Sequence, residues 1–169
     1  MSNQKTAKPA PIYLTPGCAR KLRAELKEIL YQLRPEMVKT AAWAASNGDR
    51  SENADYHYAK RKLRQFDGRI RFLTKRLEDA TIVDPVEQQK IARGRVLFGA
   101  TVTVETGAEE EKVFRIVGTD ELDAARGYVS WVSPIGRALL GAEVGDLVTF
   151  MTPGGLTELE ITGVEYKPL

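Results

Sequence analysis

The clearest pattern in the chain is a run of apolar residues spaced alternately three and four positions apart. Its members are Tyr56, Ala59, Leu63, Phe66, Ile70, Leu73 and Leu77. This spacing is typical of the a and d positions of a coiled coil and persists for about three heptads. A rougher run of similar spacing precedes it and comprises Leu22, Leu26, Ile29, Leu33, Met37 and Ala41. Because only a short stretch separates the two runs, we predict two antiparallel helices that bury them against each other.

The ends of the two predicted helices carry recognisable signals. The first begins at Thr15-Pro16, because threonine suits the N-cap and proline the first helical position, and it ends near residue 46. Pro35 lies inside this helix, and since proline removes a backbone donor, we expect a kink just before it. The second helix runs from about Ser51 to Ala80, which predicts a rod of about 45 Å.

After Arg95 the apolar period changes to two, which is typical of β-strands. The predicted strands are Thr101–Glu105, Val113–Val117, Tyr128–Val132, Leu147–Met151 and Leu159–Val164. Ser133-Pro134 opens a short helix that Gly141 closes. We therefore predict an α+β protein. A flexible extension (1–11) precedes a coiled-coil hairpin (12–83), a linker (84–95) and an antiparallel sheet domain with one helix (96–169).

Composition adds an asymmetry of charge. The net charge of the 169 residues is +2, but residues 1–83 carry seventeen Lys and Arg against nine Asp and Glu, whereas residues 84–169 carry eight against fourteen. A basic half favours phosphate-bearing partners. Cys18 is the only cysteine, which excludes an intrachain disulfide, and no apolar run is long enough for a membrane span or a signal peptide. We expect a cytoplasmic monomer without membrane contact.

Two carboxylates stand at the turn between the helices, in the tip segment Gly48–Tyr56. Asp49 and Glu52 are three residues apart, so one interpretation is a capping box, with Asp49 as the N-cap and Glu52 as its partner. The other interpretation is that both carboxylates share a Mg²⁺ ion. Two carboxylates alone make a poor site, so further ligands would have to come from elsewhere.

The second helix is strongly basic. Its cationic residues are Lys60, Arg61, Lys62, Arg64, Arg69, Arg71, Lys75 and Arg76, with Asp67 the only acid among them. An ordinary solvated helix surface mixes charges of both signs. Because this helix has one acid among eight bases, we favour the alternative, which is a surface that binds nucleic acid, RNA or DNA.

Several separate motifs resemble the bacterial Gre transcript-cleavage factors, a family of transcription elongation factors, and their form is closer to GreB than to GreA. They are Trp43–Tyr56, Ile82–Asp84, Ser133–Gly141, Val144–Asp146 and Gly163–Tyr166. The resemblance covers nearly the whole chain after about Pro11. It implies an N-terminal coiled coil and a C-terminal domain similar to the FKBP fold.

The resemblance also implies a function. The C-terminal domain docks at the rim of the RNA polymerase secondary channel, and the coiled coil carries its tip to the polymerase active site. There the chain stimulates Mg²⁺-dependent cleavage of the 3′ end of backtracked RNA, so it is not an enzyme on its own. Asp49 and Glu52 match the two tip acids of the family, which share the metal with the polymerase.

Further site residues follow from the same resemblance, apart from the RNA-binding set, which follows from the basic run on the second helix. The residues expected to support the tip are Arg50, Ser51, Asn53, Asp55 and Tyr56. Those expected to bind RNA are Lys60, Arg61, Lys62, Arg64, Arg69 and Arg71. The residues expected to dock on the polymerase are Val132, Ser133, Pro134 and Arg137. One departure is Val132, because GreB commonly has an acidic residue at that position.

Two other functions stay open from the sequence. A regulator could occupy the same channel without stimulating cleavage, although the presence of both tip acids favours cleavage. A peptidyl-prolyl isomerase would follow from the FKBP-like domain alone, but a fold does not determine a function.

Overall fold

The computed structural model describes residues 9–48 and 52–169, which form two compact units. A helical unit spans Ala19–Asp79, and a β unit combines the residues up to Cys18 with Ala80–Leu169. The expected extension at residues 1–8 and three residues of the tip segment, Asp49, Arg50 and Ser51, lie outside the described residues. No described helix is both long and apolar enough to cross a membrane.

The helical unit is the predicted hairpin. Helix α1 (Pro16–Glu28), a π-helical turn (Ile29–Leu33) and helix α2 (Arg34–Ala45) make its first arm, and helix α3 (Ala54–Asp79) makes the second. The arms are antiparallel, since Ala44 contacts Asn53 while Arg34 contacts Asp67 farther along. Ala41, Ala44 and Ala59 are buried where α2 and α3 pack, and such small side chains allow a close approach.

The π-helical turn explains how the first arm accommodates Pro35. Proline has no N–H to donate to the preceding turn. The chain widens just before it, where the Arg34 N–H donates to the Ile29 carbonyl, five residues back. Such widened turns are typically local insertions in otherwise regular helices. The irregularity expected at the proline is therefore a π-helical turn, after which α2 continues.

The β unit opens with a short parallel pair, β1 (Tyr13–Leu14) and β2 (Thr81–Ile82). A helix, α4 (Pro85–Ala92), then occupies most of the stretch expected to be a linker. The Asp84 carboxylate caps it by accepting the Val86 N–H at 2.9 Å. Only Pro85 and Ala92 of this helix are buried. Because the rest of the helix faces solvent, its sequence is polar enough to resemble that of a linker.

The remaining strands form one curled sheet with a short helix, α5 (Pro134–Leu139). They are β3 (Thr101–Thr106), β4 (Glu111–Val117), β5 (Tyr128–Ser130), β6 (Leu147–Thr152) and β7 (Gly155–Glu165). The order is β5-β4-β3-β7-β6, and Val102, Ile116 and Ile161 lie in its core. The predicted α+β class is confirmed, with one difference: β5 runs parallel to β4, so the sheet is mixed rather than wholly antiparallel.

Candidate functional site

The tip segment is organised by Asn53. Helix α3 begins at Ala54, and the Asn53 side-chain oxygen Oδ1 accepts the Tyr56 N–H at 3.0 Å, which makes Asn53 the N-cap. The Asn53 carbonyl accepts the first intrahelical bond, from the His57 N–H. Glu52 precedes this cap, so the interpretation of Glu52 as the inner partner of a capping box is wrong.

The Asn53 amide also joins the two arms of the hairpin. Its Nδ2 donates to the carbonyl of Ala44, in the last turn of α2, at 2.5 Å. The same carbonyl accepts the Asn47 backbone N–H at 3.1 Å. Sequence reasoning placed Asn53 at the tip but missed this link, because the partner belongs to the other helix.

The carboxylates near this link face solvent. Glu52 and Asp55 are both exposed, and they lie beside the N-terminus of α3, where the helix dipole favours negative charge. Tyr56 is half-buried, and its ring lies 5.8 Å from that of His57. Within residues 9–48 and 52–169, no cluster of three or more Asp, Glu, His or Cys side chains could hold a metal ion. The exposed Glu52 carboxylate offers hard oxygen ligands and so fits one part of a Mg²⁺ site.

The basic residues of α3 divide into two sets. At 3.6 residues per turn, five of them fall within an arc of roughly 100° on the side opposite the apolar run, and we call these the basic stripe. The stripe consists of Lys60, Arg61, Arg64, Arg71 and Lys75, which are exposed. Lys62, Arg69 and Arg76 lie to one side of it. The single basic face predicted from the sequence is therefore two surfaces.

The second set is engaged with neighbouring side chains. Arg69 forms a forked ion pair with Glu25, with Nε 2.6 Å and Nη2 2.9 Å from its two carboxylate oxygens. The guanidinium groups of Arg69 and Arg76 lie 5.1 and 4.8 Å from the Phe72 ring centre. Lys62 lies 5.9 Å from the ring centre of Tyr58. These contacts hold the second set against its own unit, whereas the stripe faces solvent.

Acidic partners for this unit come from both arms. The Arg34 Nε donates to Asp67 at 2.8 Å, and this bond, with the charges of Arg34 and Arg71, lowers the pKa of the Asp67 carboxyl. Hydrogen bonding from Arg69 likewise lowers the pKa of Glu25. Asp67 is therefore paired with Arg34 on the other arm, whereas Lys75 of the stripe pairs with Asp79 of the same helix at 3.0 Å. With five cations and this one ion pair, the stripe keeps a net positive charge.

The four residues expected to dock on a partner lie in one turn of the β unit. Ser133 caps α5, with its Oγ accepting the Gly136 N–H at 3.1 Å and donating to the Ser130 carbonyl at 2.7 Å. A Cβ at Gly136 would lie 2.1 Å from that carbonyl, so the turn requires glycine there. Pro134 and Arg137 are exposed, and Val132 is half-buried.

Comparison with known families covers both units. The family described as "Transcription elongation factor, N-terminal" matches residues 12–82, and that described as "Transcription elongation factor, GreA/GreB, C-term" matches residues 88–166. The chain belongs to the GreA/GreB family of transcription elongation factors. The matches support transcription elongation as its process and give no support for binding to DNA.

Individual relatives agree with the family assignment. Transcription elongation factor GreB of Neisseria meningitidis serogroup A is 49% identical over 154 residues, which is 91% of this chain and 93% of the relative. GreB of Vibrio vulnificus is 50% identical over 147 residues, 86% of this chain and 90% of the relative. The crystal structure of GreA factor homolog 1 of Thermus thermophilus is 24% identical, with 92% and 99% of the two chains covered and a TM-score of 0.41. Membership in the family rests on the sequence matches.

Proposed function

We propose that this chain enters the secondary channel of RNA polymerase and stimulates cleavage of the 3′ end of backtracked RNA, rescuing arrested complexes. The observation that carries the proposal is the exposed Glu52 carboxylate, which directly precedes a helix capped by another residue. Because Asn53 performs the capping, Glu52 is not needed to start α3. In a family of transcription elongation factors, this supports a role for Glu52 toward a partner.

The chemistry of the proposal uses both tip acids. Asp49 and Glu52 would hold Mg²⁺ together with ligands from the polymerase, since this ion is often held by one or two carboxylates plus waters and substrate phosphates. When bound, the metal supplies an activated water and charge stabilisation for hydrolysis of the RNA backbone. Both acids would help to orient that water and the polymerase would provide the active site, so the chain is an accessory factor.

Two other surfaces complete the proposal. The basic stripe binds phosphates of the extruded RNA, because its cations face solvent and Asp67, the acid that lies between them in sequence, is paired with Arg34. The turn around Ser133 docks on the rim of the polymerase channel, with Pro134 and Arg137 exposed for contact. We propose that the chain acts as a monomer, in the cytoplasm.

Substitution of the tip acids tests the catalytic role. We expect Glu52→Gln and Asp49→Asn each to lower the cleavage of backtracked RNA by orders of magnitude, because a neutral amide is a weaker Mg²⁺ ligand. Raised Mg²⁺ should restore part of the activity. The measurement is the appearance of shortened RNA in stalled, backtracked elongation complexes.

The matched control is Glu36→Gln, which neutralises an exposed acid of α2 and should leave cleavage unchanged. Near-normal cleavage by both tip variants, with polymerase binding intact, would rule out the catalytic role. Wild-type protein that binds but never shortens the RNA would instead identify a channel-binding regulator.

A second substitution set tests the basic stripe. We expect Lys60→Gln, Arg64→Gln and Arg71→Gln together to weaken cleavage of deeply backtracked complexes on the order of tenfold, since fewer phosphates are neutralised. Removing the same number of charges with Lys62→Gln, Arg69→Gln and Arg76→Gln should have a smaller effect, because that set contacts its own unit. Equal loss from both sets, or equal loss for short and long extruded RNA, would contradict the assignment.

A further inference from the structure

The junction of α2 and α3 brings together two kinds of backbone group that helices leave unpaired. The last carbonyls of a helix lack donors, and the first N–H groups of the next lack acceptors. One side chain meets one group of each kind: Asn53 donates to the Ala44 carbonyl at 2.5 Å and accepts the Tyr56 N–H at 3.0 Å. Ala44 is fully buried, so its carbonyl needs partners from the protein.

The Ala44 carbonyl and the Tyr56 N–H determine which side chain can bond to both of them. A carbonyl can only accept and an N–H can only donate, so the Asn53 amide has one orientation that satisfies both. Aspartate is about as good an N-cap as asparagine, but its ionised carboxylate cannot donate to a carbonyl. Serine also caps well, but its hydroxyl is too short to bridge the two helices. Asparagine therefore does what the usual alternative caps cannot.

The link acts on Glu52 through the backbone. Glu52 is bonded directly to Asn53, and the Asn53–Ala44 contact joins residues nine apart in sequence. Without the link, α3 would still be capped, but its first residue would no longer be held to the end of α2. A displacement of about 1 Å at a reacting group can cost about 100-fold in rate.

We propose that Asn53 is a positioning residue, which fixes the backbone that carries Glu52 by binding both helices through one amide. The inference rests on the proposed function and adds to it a requirement for asparagine at this position. It assigns Asn53 no contact with RNA or metal.

Two variants separate the link from the cap. Asn53→Asp and Asn53→Ser both keep an N-cap and lose the bond to Ala44, and only the first changes the charge. We expect both to bind polymerase normally and to retain the wild-type thermal midpoint within a few degrees. At saturating protein we expect cleavage of backtracked RNA to fall about 100-fold.

The matched control is Asn47→Ser. Asn47 is the other asparagine of this junction, but only its backbone N–H meets Ala44, so its substitution should leave cleavage unchanged. Hydrogen exchange supplies a readout independent of activity. In both Asn53 variants the Tyr56 N–H should stay protected, because the cap remains. In the wild-type protein the side-chain NH₂ of Asn53 should exchange more slowly than that of Asn47, because only the Asn53 amide donates to the Ala44 carbonyl.

The outcomes are distinct from failure of the proposed function. If the wild-type protein cleaves and Glu52→Gln does not, near-normal cleavage by Asn53→Ser would overturn this inference alone. Loss of polymerase binding or of folding in both Asn53 variants would also overturn it, since Asn53 would then be a structural residue. Loss of cleavage by Asn53→Asp alone would point to its charge and not to the missing donor, again overturning the inference.

Discussion

Helices α1 and α3 each begin with a cap side chain that also bonds to a group outside its own helix, and these two junctions differ in burial. Thr15 caps α1, where its Oγ1 accepts the Cys18 N–H at 3.2 Å and donates to the Glu121 carboxylate at 2.7 Å. Asn53 caps α3 and donates to a backbone carbonyl. Thr15 is fully buried, whereas Asn53 is half-buried.

The difference predicts different consequences for the same kind of contact. A buried hydrogen bond to a charged acceptor contributes about 1.5–3 kcal/mol, more than a neutral one near water. At the tip the acceptor is a neutral carbonyl that also accepts the Asn47 N–H, so it keeps a partner when the Asn53 bond is lost, and the free energy of folding depends less on the link. Thr15 should therefore contribute mainly to stability, and Asn53 mainly to the position of Glu52 beside it.

The largest expected effect on stability comes from Thr15→Val, which keeps the shape of the side chain and removes its hydroxyl. We expect the free energy of unfolding to fall by about 2–4 kcal/mol, from the lost cap and the lost bond to Glu121. Urea denaturation measures it. Cleavage per folded molecule should not change.

Thr40→Val is the matched control for Thr15→Val. Thr40 donates to the Glu36 carbonyl at 3.1 Å from an exposed position, so its loss should cost no more than about 0.5 kcal/mol. Similar losses at both threonines would remove the distinction between buried and exposed contacts. A larger loss of stability from Asn53→Ser than from Thr15→Val would reverse the comparison.

The parts of the fold that the sequence predicts well are those with a strong local period. The three-and-four spacing from Tyr56 to Leu77 predicts α3, and alternation predicts the strands after Arg95. Strand pairing is not a local property of the sequence. Strand β5 is parallel to β4 because the chain crosses over between Val117 and Tyr128, and the spacing of apolar residues does not show this crossover. Helix α4 escapes detection because it buries too little apolar surface.

The same limit applies to the candidate site. Asp49, Ser51 and Asn53 are all suitable cap residues, so spacing alone does not select one. Asn53 is the residue that caps the helix, and it is also the residue that contacts Ala44 on the other helix. The partition of the basic residues also depends on the other arm, since Glu25 pairs with Arg69 across the hairpin.

The smallest expected effect concerns that pair and tests whether polar contacts across the hairpin affect stability at all. Because the pKa of Glu25 is lowered, mainly by its hydrogen bond with Arg69, the folded state holds this proton less tightly than the unfolded state. The stabilisation is thus present above the ordinary carboxyl pKa and is lost as the pH falls through the lowered one.

Glu25→Gln should lower the free energy of unfolding at pH 7 by no more than about 0.5 kcal/mol, since both side chains are over a third exposed and solvent screens the pair. The difference from wild type should shrink from about pH 5 downward and vanish by about pH 2. Urea denaturation across this range measures it, with Glu28→Gln as the control on the same helix. A difference that persists at low pH would assign the contribution to packing of the side chain. A difference of several kcal/mol at pH 7 would show that polar contacts in the helical unit do support its stability, and the contrast between Thr15 and Asn53 would then need another cause than burial.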